Sequence, residues 1–201
     1  MRLNLKIVSG YFLACGLAWA AQPACVTGTL ASYIALGAEG CTFDGTIFAN
    51  FAYSASASGG ASTIRADQIT VVALLIVPST AGFNFSAPWS VAKEQTQDSI
   101  ISYTAVLPCG DVQTAQLSLT LGTARIGGII GSVTVNETTN VGKLSVLDRC
   151  TEICQTKISD SLKFNPVSVI LISDHVSLSG GNGGSSLSEF ASALNRCIPC
   201  V

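Results

Sequence analysis

Charge is what this sequence has least of. Asp, Glu, Lys and Arg make up 11% of its 201 residues, where an average soluble domain carries roughly 25%. Disordered chains are charge-rich and apolar-poor, and this one is 48% hydrophobic, so disorder is excluded. Ten Lys and Arg against twelve Asp and Glu, scattered singly, form no basic stripe. That excludes a nucleic-acid partner and a polybasic membrane-surface role. Histidine occurs once, as His175 beside Asp174, and no Gly-x-Ser-x-Gly elbow presents a nucleophile to it. Phosphate-cradling and dinucleotide glycine loops are missing too. Twelve scattered acids single out no pair at the about 5 to 9.5 Å spacing that glycosidases use. No catalytic residue and no cofactor is therefore assigned.

Hydroxyl groups take the place of charge. Twenty-four Ser and seventeen Thr supply a polar surface, and they alternate with apolar residues. In Gln116-Leu117-Ser118-Leu119-Thr120-Leu121 and Ser132-Val133-Thr134-Val135-Asn136 the period is two, as a strand with one wet and one dry face demands. The runs Val71 to Val77 and Ser168 to Ile172 do not alternate and read as strands covered on both faces. Turn signals at Ser58-Gly59-Gly60, Ser79 to Gly82, Pro108 to Asp111, Gly127-Gly128, Asn140-Val141-Gly142 and the loop Gly180 to Gly184 punctuate eight to ten strands. The expected fold is all-β, a two-layer antiparallel β-sandwich of jelly-roll type. One short C-terminal helix is expected where Ser186-Leu187-Ser188-Glu189 forms a capping-box pattern ahead of Phe190, Ala191 and Leu194. A helical turn around Thr29 to Ile34 is also indicated.

Long apolar runs are confined to the start. Arg2 and Lys6 precede Ile7 to Ala20, which ends in Ala18-Trp19-Ala20, the pattern of a secretory signal peptide cleaved before Ala21. A membrane anchor is the alternative, but fourteen residues are fewer than the ~20 a spanning helix needs. Phe12-Leu13-Ala14-Cys15 also reads as a lipoprotein box that would acylate Cys15. The division is thus a signal peptide over 1–20 and one domain over 21–201, with no membrane span after cleavage and a secreted or periplasmic destination. Eight basic and twelve acidic groups remain on the mature chain.

Seven cysteines survive cleavage: Cys25, Cys41, Cys109, Cys150, Cys154, Cys197 and Cys200. In an oxidising compartment they are disulfide material. Cys25 and Cys41 bracket a compact, Gly-containing segment before the first long strand and are the pair expected to bond. The other five are candidates whose pairing the sequence does not choose. Cys150 and Cys154 with Cys197 and Cys200 have spacings that four-thiolate zinc sites also use. Cys197-Ile198-Pro199-Cys200 lacks the following helix that a redox motif requires.

The block from Cys25 to Thr42, Phe48-Ala49-Asn50-Phe51-Ala52-Tyr53, Phe85 to Trp89 followed by Gln97-Asp98-Ser99, and Val176 to Gly181 resembles a group of uncharacterised bacterial exported proteins, many of them similar to PEP-CTERM proteins. The resemblance covers residues 25–190, and its first block again implies the Cys25–Cys41 bridge. Such proteins often end in a Pro-Glu-Pro motif, an apolar helix and a basic cluster; this sequence instead reads Cys197-Ile198-Pro199-Cys200-Val201. The family carries no activity to transfer. The first reading is a non-enzymatic structural or interaction protein of the cell surface or extracellular matrix, with surface proteins or extracellular polysaccharide as partners. The second is a carbohydrate-binding module, with Tyr53 and Trp89, beside Phe51, Phe83 and Phe85, as an aromatic platform. The third is a secreted hydrolase with an unrecognised carboxylate site. Exposure of Trp89 separates the first two. Gln97-Asp98-Ser99 is expected to fix the start of a strand rather than a ligand.

Overall fold

The computed structural model describes residues 22–75, 80–107, 111–121, 131–150 and 153–197. Ala21 and everything before it, Cys15 included, lie outside that set, as do Cys109, Cys200 and the side chain of Cys197.

The strands are β1 (Gly28–Thr29), β2 (Cys41–Phe43), β3 (Thr46–Ser58), β4 (Thr70–Leu75), β5 (Thr80–Ala92), β6 (Thr96–Val106) and β7 (Asp111–Leu121). They continue with β8 (Ser132–Thr139), β9 (Gly142–Cys150), β10 (Cys154–Lys157), β11 (Ser159–Val167), β12 (Val169–Ser179) and β13 (Gly184–Cys197). All named pairings are antiparallel. One sheet runs β1-β4-β5-β13-β7-β11 and the other β10-β9-β8-β12-β6-β3-β2. The expected two-layer sandwich is what forms, and the Ser/Thr alternation is its cause. In β6, β8, β9 and β12 every second side chain is buried and its neighbours face outward.

Aromatic rings fill the space between the sheets. Phe48 and Phe83 lie 4.6 Å apart edge to face, Phe51 stacks on Tyr103 at 5.2 Å, and Phe85 stacks on Phe190 at 5.2 Å. Helix α1 (Leu30–Ala35) closes one end, with Thr29 as its N-cap accepting from Ser32 N at 3.2 Å and Leu30 fully buried. The turn expected near Thr29 is this helix. Cys25 is bonded to Cys41 at a Cα separation of 4.9 Å, which ties the segment before α1 to β2. Gly40, at φ +63°, lies so close to β3 that a Cβ there would fall 2.1 Å from Phe48 O.

Three expectations need correction. The C-terminal helix is instead the long strand β13, set between β5 and β7. The helix-like spacing of Leu187 and Phe190 comes from a register shift between Leu187 and Glu189. Across that shift the facing strand β5 runs one residue longer, three steps from Trp89 to Ser86 against two on β13; Leu187 and Phe190, three apart, both lie on the inner face, and Ser192 and Leu194 then continue at period two. The unbroken Val71 run is not covered on both faces over its described part, since Leu75 is 56% exposed; Ile76 and Val77 lie outside the described residues. The run after Ser168 is likewise half open: Ile170 and Ile172 are buried, but Val169 and Leu171 face water.

Candidate functional site

That half-open run lines a groove. The outer face of the seven-stranded sheet holds a hollow of about 420 Å³ over β3, β6, β12 and β8, walled by Asn50 at one side and Asn140 at the other. Asn50 sits in a bulge of β3, between the register positions of Ala49 and Ala52, at φ +57°. Asn is one of few side chains that adopt this backbone at small cost. Its N–H donates to Gly37 O at 2.9 Å, which fixes the bulge to the loop after α1.

The opposite wall is the β8–β9 hairpin. Thr139 Oγ1 accepts from Val141 N at 3.2 Å and Gly142 N at 3.0 Å, which holds the turn. Asn140 Oδ1 accepts from Leu171 N at 3.1 Å and its Nδ2 donates to Val169 O at 3.3 Å. A side-chain amide thus continues the ladder of β12 where β8 ends. Between the walls, Thr138, Ser173 and Ser102 form one row across β8, β12 and β6, and Leu171 stands opposite Thr104 in the next. The hydroxyls of these four polar residues are bonded to no other side chain among the described residues. Leu171, at 55% exposure, is the apolar part of the floor. None of the side chains facing the groove is charged, so it can hold a neutral polar molecule with an apolar edge by hydrogen bonds and contact.

His175 is two residues beyond Ser173 on the same outer face. Its Nε2 lies 2.9 Å from Asp98 Oδ1, and beside it Ser145 Oγ donates to Asn136 Oδ1 at 2.7 Å. Alternation sends its chain neighbour Asp174 into the core, so the two never meet. A second hollow of about 350 Å³, on the outer face of the other sheet, is lined by Gln116, Ser118, Ser159, Ser161, Ala191 and Ala193. Asp160 beside it is already engaged by Lys157 Nζ at 2.8 Å and Ser145 N at 2.9 Å.

The aromatic platform does not exist. Trp89 is 1% exposed, its ring lies 5.9 Å from Phe190, and its Nε1 donates to Ser99 Oγ at 3.1 Å. Tyr53 is half-buried on the opposite sheet, with its hydroxyl 2.8 Å from Ile64 O and 3.0 Å from Ser99 Oγ. Burial raises the Tyr53 hydroxyl above its ordinary pKa, and the Ser99 contact partly offsets that. Phe51, Phe83 and Phe85 are core residues. The large exposed apolar side chains among the described residues are all aliphatic. Gln97, Asp98 and Ser99 are the second, third and fourth residues of β6, at the start of the strand, and each is committed to a partner: Ser62 O, His175 and Trp89.

Cys150 and Cys154 are bonded to each other where β9 meets β10, which removes two thiolates from any four-cysteine zinc site. Among the described residues no group of three His, Cys, Asp or Glu is placed to hold a metal. No helix among them is long and apolar enough to cross a membrane.

The groove was missed in the sequence because hydroxyl-rich faces recur throughout it. The available signal was Val169-Ile170-Leu171-Ile172, which with the Val71 run departs from the alternation of the other strands.

No protein-family model and no curated protein matches the chain. Among solved structures it is similar to TmCBM61 in complex with β-1,4-galactotriose, at 15% identity and a TM-score of 0.29, over 69% of this chain and 86% of that one. It is also similar to a family 11 carbohydrate-binding module from Clostridium thermocellum in complex with a β-1,3-1,4-mixed-linked tetrasaccharide (13% identity, TM-score 0.27, 73% of this chain and 89% of that one). A third similar structure is the enzymatically active domain of bacteriophage CBA120 tailspike protein 4 (15% identity, TM-score 0.27, 72% of this chain and 19% of that one). Overlaps this loose assign neither a family nor a ligand.

Proposed function

We propose that this protein is an exported, non-catalytic binding protein whose groove between Asn50 and Asn140 takes a neutral stretch of polysaccharide. The observation that carries the reading is the groove itself: four unpartnered hydroxyls and two amide walls around an exposed Leu171. A sugar ring presents hydroxyls along its edge and C–H groups on its face, so it satisfies both parts of such a surface. The uncharged lining supports binding over catalysis, since acid–base chemistry needs a titratable group within hydrogen-bond reach of the ligand. Two bonded cysteine pairs support an oxidising, extracytoplasmic location.

Native affinity electrophoresis through gels containing single soluble polysaccharides tests this. At least one neutral polymer is expected to retard the protein, and Leu171→Asp or Ser173→Tyr, both on the outer face, to remove the retardation without lowering the melting temperature. Retardation by no polymer, or retardation untouched by both substitutions, rejects the reading.

A further inference from the structure

Two carboxyl groups lie inside the sandwich with nothing basic near them. Glu137 on β8 and Asp174 on β12 are direct cross-strand partners and both are 0% exposed. The inner neighbour of Glu137 on β9 is Leu144, and that of Asp174 on β6 is Ile101. From the other sheet β13 brings Ser192, whose Oγ donates to Glu137 Oε2 at 2.5 Å. Tyr103 on β6 lies 2.9 Å from that Oγ and is the donor to it, since the Ser192 proton is already directed at Glu137. Among the described residues Tyr103 is the one other titratable group facing the pair, and burial beside the two acids raises it well above its usual range. No Lys, Arg or His is buried among the described residues.

Hydrogen bonds leave Glu137 Oε1 and both Asp174 oxygens without a donor. The two carboxyls are close enough to bond to each other, and two carboxylates cannot do so unless one keeps a proton. Ionising both would place two like charges a few ångströms apart in a dry interior.

We propose that Glu137 and Asp174 share a proton and form, with Ser192 and Tyr103, an acid-stabilised latch between the two sheets. Acidification tightens the latch, and a rise in pH through neutrality loosens it. The chain Tyr103–Ser192–Glu137–Asp174 has members in both layers, so loss of the proton acts on the contact between sheets and not on one surface. Burial raises both acids, Glu137 from 4.5 to about 7 and Asp174 well above the ordinary carboxylate range. A group raised in the folded state contributes stability that is complete below its unfolded pKa and disappears as pH climbs through the folded one. For Glu137 the window therefore opens near 4.5 and runs up to about 7.

The test is thermal unfolding of the whole protein across that window, in buffer with EDTA and in buffer with calcium. The melting temperature is expected to fall by on the order of 10 °C from the acid to the neutral end, equally in both buffers. Glu137→Gln combined with Asp174→Asn is expected to flatten the profile. Infrared spectra of the unaltered protein supply a readout that survives a variant that does not fold: a protonated-carboxyl C=O band should persist at neutral pH. A level or rising melting profile overturns the latch, as does the absence of that band. Stabilisation by calcium that EDTA reverses also overturns it, because a cation and not a proton would then join the carboxyls.

Discussion

Trp89 donates its indole N–H to Ser99 Oγ at 3.1 Å, and the same oxygen lies 3.0 Å from the Tyr53 hydroxyl. One buried hydroxyl thus joins two large side chains from opposite sheets. Both residues looked, by type, like ligand-stacking rings, and both are spent on the interior.

Ser99→Ala should therefore cost stability. It leaves the Trp89 N–H without its acceptor at a site where Trp89 is 1% and Ser99 0% exposed, a loss of about 1–3 kcal/mol. Urea unfolding followed by tryptophan fluorescence measures it. A midpoint equal to that of the unaltered protein would show that the bond contributes nothing.

The two disulfides should differ in worth. Cys25–Cys41 closes a sequence separation of 16 residues and Cys150–Cys154 one of 4. Loop entropy assigns about 3 kcal/mol to the first and about 2 kcal/mol to the second. Paired replacements by Ala, compared by chemical denaturation, are expected to rank in that order, and peptide mapping without reduction should recover both bridges. Free thiols at Cys25 and Cys41 would refute the pairing.

Gly82 is a packing glycine. A Cβ there would sit 2.2 Å from Ser192 O and 2.5 Å from Ala193 Cα, where β5 meets β13. Gly82→Ala should force these central strands apart and destabilise by about 1–3 kcal/mol. Because Ser192 belongs to the acid latch, the same variant should unfold over a broader temperature range. A melting curve that superimposes on the parent would contradict the close approach.

His175 invites a catalytic reading that its surroundings do not support. Its side chain is 43% exposed and that of Asp98 33%, and open pairs of this kind contribute about 0–1 kcal/mol. His175→Ala should leave the melting temperature within a few degrees. Retention of polysaccharide binding is also expected, since His175 lies beyond the groove. Complete loss of retardation in that variant would move the site toward the His175–Asp98 pair.

The alternation of Ser and Thr with Val, Leu and Ile was enough to specify strands, two layers and a polar exterior. A half-buried strand demands that pattern wherever it is placed. Thr29 ahead of Leu30 was enough for a short helix, because capping is settled within one turn. Cys25 and Cys41 were legible as partners from their proximity in the chain. Side-chain chemistry that depends on distant strands was not legible. Leu187 and Phe190 carry helical spacing, and only a bulge between β5 and β7 makes them inner residues of a strand. Trp89 and Tyr53 are turned inward where Ser99, beside Tyr53 in one sheet, meets Trp89 across the sandwich. Glu137 and Asp174 are 37 positions apart and resemble any other acids until β8 and β12 pair them, and the groove exists only where Asn50 and Asn140 are raised on either side of β12. Periodicity is a local property that one strand expresses alone, whereas register, burial and the approach of two side chains belong to the pairing of strands.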